Sequence, residues 1–395
     1  MGTPPPISPP AVIGILGGGQ LGRMLGSAAR AMGYRIVVLD PDPDCPAAAV
    51  ADRIVIGSYD DVGAALRLAD ASDVVTYELE HVAAAVVEAI EAQVPVRPGR
   101  GPLVVTQDRL AERRFVEGAG IAVAPWREVR SAAEARAAAD RLGLPLRLKR
   151  PIGGYDGRGQ VRIEALVELD SVWERLGEPV GSPLLAELEL GFEAELSVIV
   201  ARAVDGEVAV FPIARNRHDA AILVESVAPA RIPAAVAERA EAIGRSLATA
   251  IDLCGTLTAE LFMLRDGSLV VNELAPRVHN SGHWTIEGAA TSQFEQHIRA
   301  ICGLGLGSAA PLAPTAVVNI LGRGRRRDAR LLGTALALAD PAVHLHLYDK
   351  RRVFERRKMG HVTALGPDVE AALTRARSAV AALHWAEDET EEDDR

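Results

Sequence analysis

From residue 11 the chain alternates short apolar runs with helical spacing, and that alternation restricts the fold more than any other feature. Residues 11–16 form an apolar run, Gly17-Gly18-Gly19 breaks it, residues 21–32 carry helical spacing, and residues 35–40 form a second apolar run. Further strand-like runs follow at 53–56 and 73–76, with helical segments between them. Strands joined through helices lie parallel, and a parallel sheet needs cover on both faces. An N-terminal α/β unit is therefore expected over residues 11–108.

Beyond it the pattern changes. Helices are expected over 109–118 and 132–142, then a strand over 145–149 that runs into a glycine-rich loop. Paired strands are expected around 184–187, 194–203 and 207–212, the last two turned by Asp205-Gly206. A long helix over 234–251 precedes a hairpin of strands 256–264 and 269–272 around Asp266-Gly267. A helix over 293–302, a Gly- and Pro-rich linker over 303–314 and a small terminal unit complete the pattern. The predicted divisions are a disordered lead-in 1–10, domains 11–108, 109–305 and 306–385, and a disordered acidic tail 386–395.

Charge narrows the function. The formal net charge is −10, which argues against a nucleic-acid binder, whose footprint is a basic stripe. Residues 387–395 hold seven acids and one base; such a run repels itself and buries little apolar area. Cys45, Cys254 and Cys302 lack metal-ligand spacing and fit free thiols in a reducing compartment. No run approaches the ~20 apolar residues of a spanning helix, and no basic-then-apolar leader opens the chain. A cytoplasmic protein without membrane partners is expected.

Four segments carry polar chemistry. Gly17-Gly18-Gly19-Gln20-Leu21-Gly22 has the G-x-G-x-x-G spacing, with Asp40 ending the next strand. That suits a dinucleotide turn, another anionic or polar ligand at the helix N-terminus, or plain helix-on-strand packing. Lys149-Arg150 precedes Gly153-Gly154-Tyr155-Asp156-Gly157-Arg158-Gly159-Gln160, whose amides can close on phosphate oxygens. A Walker loop would need Lys and Ser/Thr directly after its last glycine, and an ordinary glycine hairpin is the bland alternative. Glu187, Glu189 and Glu195 lie at strand ends, while Glu260 stands alone inside an apolar strand. Paired across the hairpin with Glu273, Glu260 would make a two-carboxylate cation site.

The densest segment is Asn272-Glu273-Leu274-Ala275-Pro276-Arg277-Val278-His279-Asn280-Ser281-Gly282-His283-Trp284. A carboxylate and an amide beside cationic groups suit Mg²⁺ and phosphate oxygens, because Mg²⁺ prefers hard oxygen ligands shared with a substrate phosphate. His279 and His283 have i, i+4 spacing, but Asn-Ser-Gly between them argues for a loop over a helical zinc site.

These blocks, with Thr76-Tyr77-Glu78-Leu79-Glu80 and the stretch from Tyr348 to His361, resemble the ATP-grasp superfamily. Within it the chain resembles the ATP-dependent 5-(carboxyamino)imidazole ribonucleotide synthases, from about Val12 to Leu365. The resemblance implies an α/β ATP-grasp fold with an N-terminal parallel-sheet domain, a lid at about 109–186, and a small C-terminal domain. It implies ATP with Mg²⁺ or Mn²⁺, bicarbonate as co-substrate, carboxylation of aminoimidazole ribonucleotide through carboxyphosphate, and a homodimer. A related ligase activating formate or another carboxylate is the alternative.

Residue roles follow from the same resemblance. Arg109, Lys149, Gly154 to Gln160, Glu187, Leu188, Glu189, Leu190, Glu195, His218, Asn272 and Glu273 would contact ATP. Glu260, Glu273 and Asn272 would hold the metal, and Lys149, Asp156, Arg158 and Arg277 would carry the chemistry. Gln20, Leu21, Glu78, Glu80, Tyr155, Arg158, Arg277, His279, Asn280, Ser281, Lys350, Arg357 and Lys358 would hold the ribonucleotide. One departure is visible: Phe354 follows Val353 where the family usually carries arginine.

Overall fold

The computed structural model describes residues 4–153, 159–176 and 183–387. The N-terminal sheet is parallel throughout and holds Arg53–Ile56, Arg35–Asp40, Val12–Leu16 and Val74–Tyr77, in that order. The helix Gln20–Ala31 follows the glycine turn and packs Leu21, Leu25 and Ala29 on one face of this sheet. Helices Val62–Ala69 and Ala84–Glu91 pack on the other.

A second, antiparallel sheet orders Trp126–Val129, Leu184–Leu188, Leu146–Lys149 and Gln160–Ile163. The helix Ala132–Leu142, capped by the Ser131 side chain on the Glu134 amide, packs Ala135, Ala138 and Ala139 against it.

The third sheet is the largest. It runs Leu269–Ala275, Gly255–Met263, Ala194–Arg202, Ala214–Asp219, Ile222–Ala228, Thr315–Leu321, Lys358–Leu365 and Val343–Leu347, each neighbour antiparallel. Three features differ from the sequence reading. The strands of the small C-terminal unit, from residue 315 onward, are continuous with the central sheet, because Thr315–Leu321 pairs with Ile222–Ala228 and extends it. Ala214–Asp219 and Ile222–Ala228 escaped hydropathy, since Asn216 faces inward and is satisfied there by Ser197 and Ser226. The segment 303–314 is tied down: Ala290 N donates to Ala310 O at 2.9 Å and Leu312 N to Gly288 O at 2.8 Å.

The lead-in also needs correction. Ile7 N donates to Cys302 O at 2.8 Å, Ile7 O accepts from the Tyr34 hydroxyl at 2.7 Å, and the Ile7 side chain joins the core beside Leu25. Five prolines stiffen this segment without preventing it from packing. Residues 388–395 of the expected disordered tail lie outside the described residues.

Candidate active site

The expected two-carboxylate pair is formed by the hairpin register. Glu260 and Glu273 stand opposite each other, and the register shifts there because Leu261 pairs with Val271. Asn272 is thus the extra residue of a β-bulge, a device that re-aims side chains beside active sites. Glu260 is pushed up to about 7, first by burial and then by the charge of Glu273. Arg109 lies 3.7 Å from Glu273, and His279 Nε2, whose ring is held well below the usual histidine range by burial and then by Arg277, lies 3.7 Å from Glu260. His218 Nδ1 meets Glu195 Oε2 at 2.5 Å on the next strands inward.

Lys149 ends its strand buried and pairs with Glu187, which also accepts from Arg113 Nε at 2.7 Å. Arg113 in turn donates to Glu112 at 2.7 Å, and Glu112 accepts the Leu274 amide at 2.8 Å. This buried chain of charges joins the second sheet to the hairpin that carries Glu273. Burial alone would raise Glu187, but Lys149 and Arg113 beside it hold the carboxyl down at about 2. Sequence reasoning missed Glu112 and Arg113. The available signal was their helix: Leu110, Arg113 and Val116 share one stripe, so a cation lies on its apolar face.

The glycine turn has its donors taken. Glu78 accepts from the Gly19 and Gly22 amides, both at 2.6 Å, while Asp40 accepts from the Gly18 amide and the Tyr59 hydroxyl, both at 2.7 Å. Only glycine fits: a Cβ on Gly19 would stand 2.4 Å from Glu78 Oε1, and one on Gly22 would stand 2.5 Å from Gly17 O. With those three amides engaged by carboxylates, the turn does not offer them to a dinucleotide's pyrophosphate. Calorimetric titration with NAD⁺ or NADP⁺ is accordingly expected to show no saturable binding; a micromolar Kd would overturn this assignment of the turn. Glu78, expected to touch the ribonucleotide, holds the turn's backbone through the Gly19 and Gly22 amides.

Around that turn the structure gathers other expected residues. Gln20 Nε2 reaches Asn280 Oδ1 at 3.4 Å, and Arg277 donates to Glu80 at 2.9 Å. His279 Nδ1 meets Ser281 Oγ at 2.9 Å. His283 turns elsewhere, buried between Phe294 and His361. From the far sheet, Lys350 Nζ donates to Lys358 O at 2.7 Å and lies 5.5 Å from the Tyr348 ring centre. Arg357 differs from these two: its guanidinium rests 5.1 Å from the Phe354 ring centre and donates to Arg352 O. Leu188 ends its strand opposite Leu146, three residues from the partner of Lys149, and Glu189 follows it and pairs with Arg147 and Arg162. Leu21 is buried against the N-terminal core, and Leu190 follows in the connecting loop. Gly159 accepts from the Arg150 amide at 2.8 Å and Gln160 opens its strand. Gly154, Tyr155, Asp156, Gly157 and Arg158 lie outside the described residues.

A parallel-sheet domain, a four-stranded antiparallel sheet carrying a buried lysine, and a large antiparallel sheet bearing paired acids define an ATP-grasp ligase. Residues 114–294 match the ATP-grasp domain family, 11–107 the ribonucleotide synthetase preATP-grasp domain, and 315–375 the phosphoribosylaminoimidazole carboxylase C-terminal domain. The chain belongs to the N5-carboxyaminoimidazole ribonucleotide synthase family. The Bacillus subtilis synthase is 41% identical over 357 residues, covering 90% of this chain and 92% of that relative. The Brucella melitensis synthase is 42% identical over 361 residues, covering 91% and 98%. A crystal structure of an N5-carboxyaminoimidazole ribonucleotide synthetase with ADP superposes with a TM-score of 0.87 at 42% identity, covering 95% of this chain and 97% of that one. An Aspergillus clavatus synthase with ADP and 5-aminoimidazole ribonucleotide superposes at 0.85 and 32% identity, covering 95% and 98%.

Proposed function

We propose that this enzyme uses ATP and bicarbonate to carboxylate the exocyclic amine of 5-aminoimidazole ribonucleotide in purine biosynthesis, through carboxyphosphate. The facing pair Glu260 and Glu273 carries the reading, because two crowded carboxylates, one driven toward protonation, suit a divalent cation. Among the described residues no set of three or more ligating side chains gathers. Substrate phosphates and water would therefore complete the octahedral oxygen shell that Mg²⁺ requires, with Asn272 at hand on the bulge. The ion would supply charge neutralisation to the phosphates when bound.

A bicarbonate oxygen attacks the γ-phosphorus of ATP, and the bond to the ADP oxygen breaks. The substrate's amine nitrogen then attacks the carbon of carboxyphosphate, or of the CO₂ it releases. The bond between that carbon and the phosphate oxygen breaks as phosphate departs, and the amine loses a proton. Phosphoryl transfer depends chiefly on positioning and charge, which Arg109 beside Glu273 and the Lys149–Glu187–Arg113 chain provide. Arg277, fixed by Glu80, and Gln20, next to Asn280, stand where the ribonucleotide would lie between the glycine turn and the hairpin. Its 5′-phosphate falls to Lys350 and Lys358, with Arg357 contributing charge from its seat on Phe354. The reading includes a cytoplasmic homodimer, and no helix among the described residues is long and apolar enough to cross a membrane.

ADP release measured with ATP and aminoimidazole ribonucleotide is expected to require bicarbonate. Release driven equally by formate would replace the proposal with a formate-activating ligase. Lys350→Ala is expected to raise the ribonucleotide KM about ten- to a hundredfold with that of ATP little changed, since a charge-assisted contact contributes roughly 1.5–3 kcal/mol. Arg357→Ala should act more weakly. Unchanged ribonucleotide KM in both variants would move the phosphate elsewhere.

A further inference from the structure

Three imidazoles stack where the last strands of the large sheet meet the polar segment that follows Ser281. His346 and His361 stand opposite each other in the antiparallel register of Val343–Leu347 and Lys358–Leu365. The ring of His361 stacks on His346 at 4.5 Å and on His283 at 4.6 Å, centre to centre. Both ends are anchored: His346 Nε2 meets Glu287 Oε1 at 2.6 Å, and His283 stacks on Phe294 at 5.8 Å. Burial holds His283 down at about 3 and His361 well below the usual histidine range, so these two rings are neutral at pH 7. The stack gives His361 a single orientation, because a close-packed ring cannot turn without losing its contacts.

That orientation is passed toward the substrate side. His361 Nδ1 shares a hydrogen bond with the Tyr348 hydroxyl at 2.9 Å, and both side chains are buried. Burial raises Tyr348 above its ordinary value, so the phenol keeps its proton. The Tyr348 amide donates to Met359 O at 3.0 Å, which fixes the residue at its backbone as well. Lys350 Nζ lies over the Tyr348 ring, 5.5 Å from its centre, and donates to Lys358 O at 2.7 Å. An ammonium is attracted to such a face by the ring's quadrupole. The chain reaches this position through Asp349, whose φ of 58° is left-handed. On the outer side Asp349 pairs with Arg23 at 2.8 Å and Arg351 with Asp44 at 2.6 Å, which ties the turn to the N-terminal domain. Those pairs are open to solvent and contribute little. The buried bond between Tyr348 and His361 is the firmer restraint.

Taking Lys350 as a ligand of the ribonucleotide's 5′-phosphate, as the proposed function does, we propose that His361 is a positioning residue for it. Held by the stack, His361 fixes the Tyr348 ring, and the ring fixes the ammonium of Lys350. His361 acts only through Tyr348.

Steady-state ADP release with the ribonucleotide varied, and then with ATP varied, tests it. Tyr348→Phe and His361→Phe each keep an aromatic ring and remove the one hydrogen bond. Each is expected to raise the ribonucleotide KM about three- to tenfold, the size of one neutral hydrogen bond, with kcat and the KM for ATP little changed. The two combined should act no more strongly than either alone. Tyr348→Phe added to Lys350→Ala should have no further effect, because all three changes act on one contact. If His361→Phe fails to fold, Tyr348→Phe decides, since it deletes a single oxygen. A plain packing role gives the opposite pattern, a lower melting temperature with both KM values intact, and that result would overturn the proposal. So would a loss of ATP affinity equal to the loss for the ribonucleotide. A raised ribonucleotide KM in Lys350→Ala beside an unaltered one in Tyr348→Phe would sink this proposal and leave the phosphate placement standing. An inert Lys350→Ala would remove the ligand that His361 is said to position, and this proposal would fall with it.

Discussion

Glu273→Gln is expected to lower turnover at least about a hundredfold while the protein remains folded. Shape is kept and one charge is lost from the pair that would hold the cation. Charge stabilisation by a bound metal contributes several kcal/mol, and each 1.4 kcal/mol is a factor of ten in rate. The melting temperature should not fall, since the facing carboxylates repel each other and Glu260 is already pushed up to about 7 by burial and by Glu273. Glu260→Gln should behave alike. Turnover close to that of the unaltered enzyme in either variant, measured at saturating ATP and Mg²⁺, would remove the pair from the active site.

Replacing Glu187 by leucine is expected to be the most damaging single change for stability, at about 3–5 kcal/mol. It would leave Lys149 and Arg113 buried at one site without their shared carboxylate, and stranding buried charges has about that cost. Lys149→Met should cost less, because Glu187 keeps Arg113. Acid should reproduce part of the effect. A carboxyl whose folded value is depressed stabilises the protein fully above its unfolded value, near 4.5. That stability is lost as pH falls toward about 2. Urea unfolding at pH 7 and at pH 3 measures both. A loss below about 1 kcal/mol in Glu187→Leu at pH 7, or a loss independent of pH, would show that the chain of charges contributes little.

Much of the site was legible in the sequence because its geometry is local. The turn at Asp266-Gly267 and the period of two along each strand bring Glu260 to the Asn272-Glu273 end of one hairpin, and the bulge at Asn272 then sets it opposite Glu273. The strand–glycine–helix alternation likewise specifies a parallel N-terminal sheet, because a helix between two strands leaves no antiparallel route. The dense block from Asn272 to Trp284 identified itself by residue type alone. Hydropathy failed where a polar side chain faces inward with its partners supplied by other strands. Asn216 is the example, satisfied by Ser197 and Ser226, and the central sheet was underestimated by the strands on either side of it.

What only the tertiary structure decided are the contacts between residues far apart in the chain. Lys149 meets Glu187 across 38 residues, Arg113 meets Glu187 across 74, Gly19 meets Glu78 across 59, and Arg277 meets Glu80 across 197. The sequence determined which groups exist and which short elements present them. The partner each buried charge takes depends on how the sheets stack. Burial then makes those pairings obligatory, because a carboxylate or guanidinium removed from water must find an opposite charge or a donor. That requirement also makes Glu78 the acceptor that shapes the glycine turn.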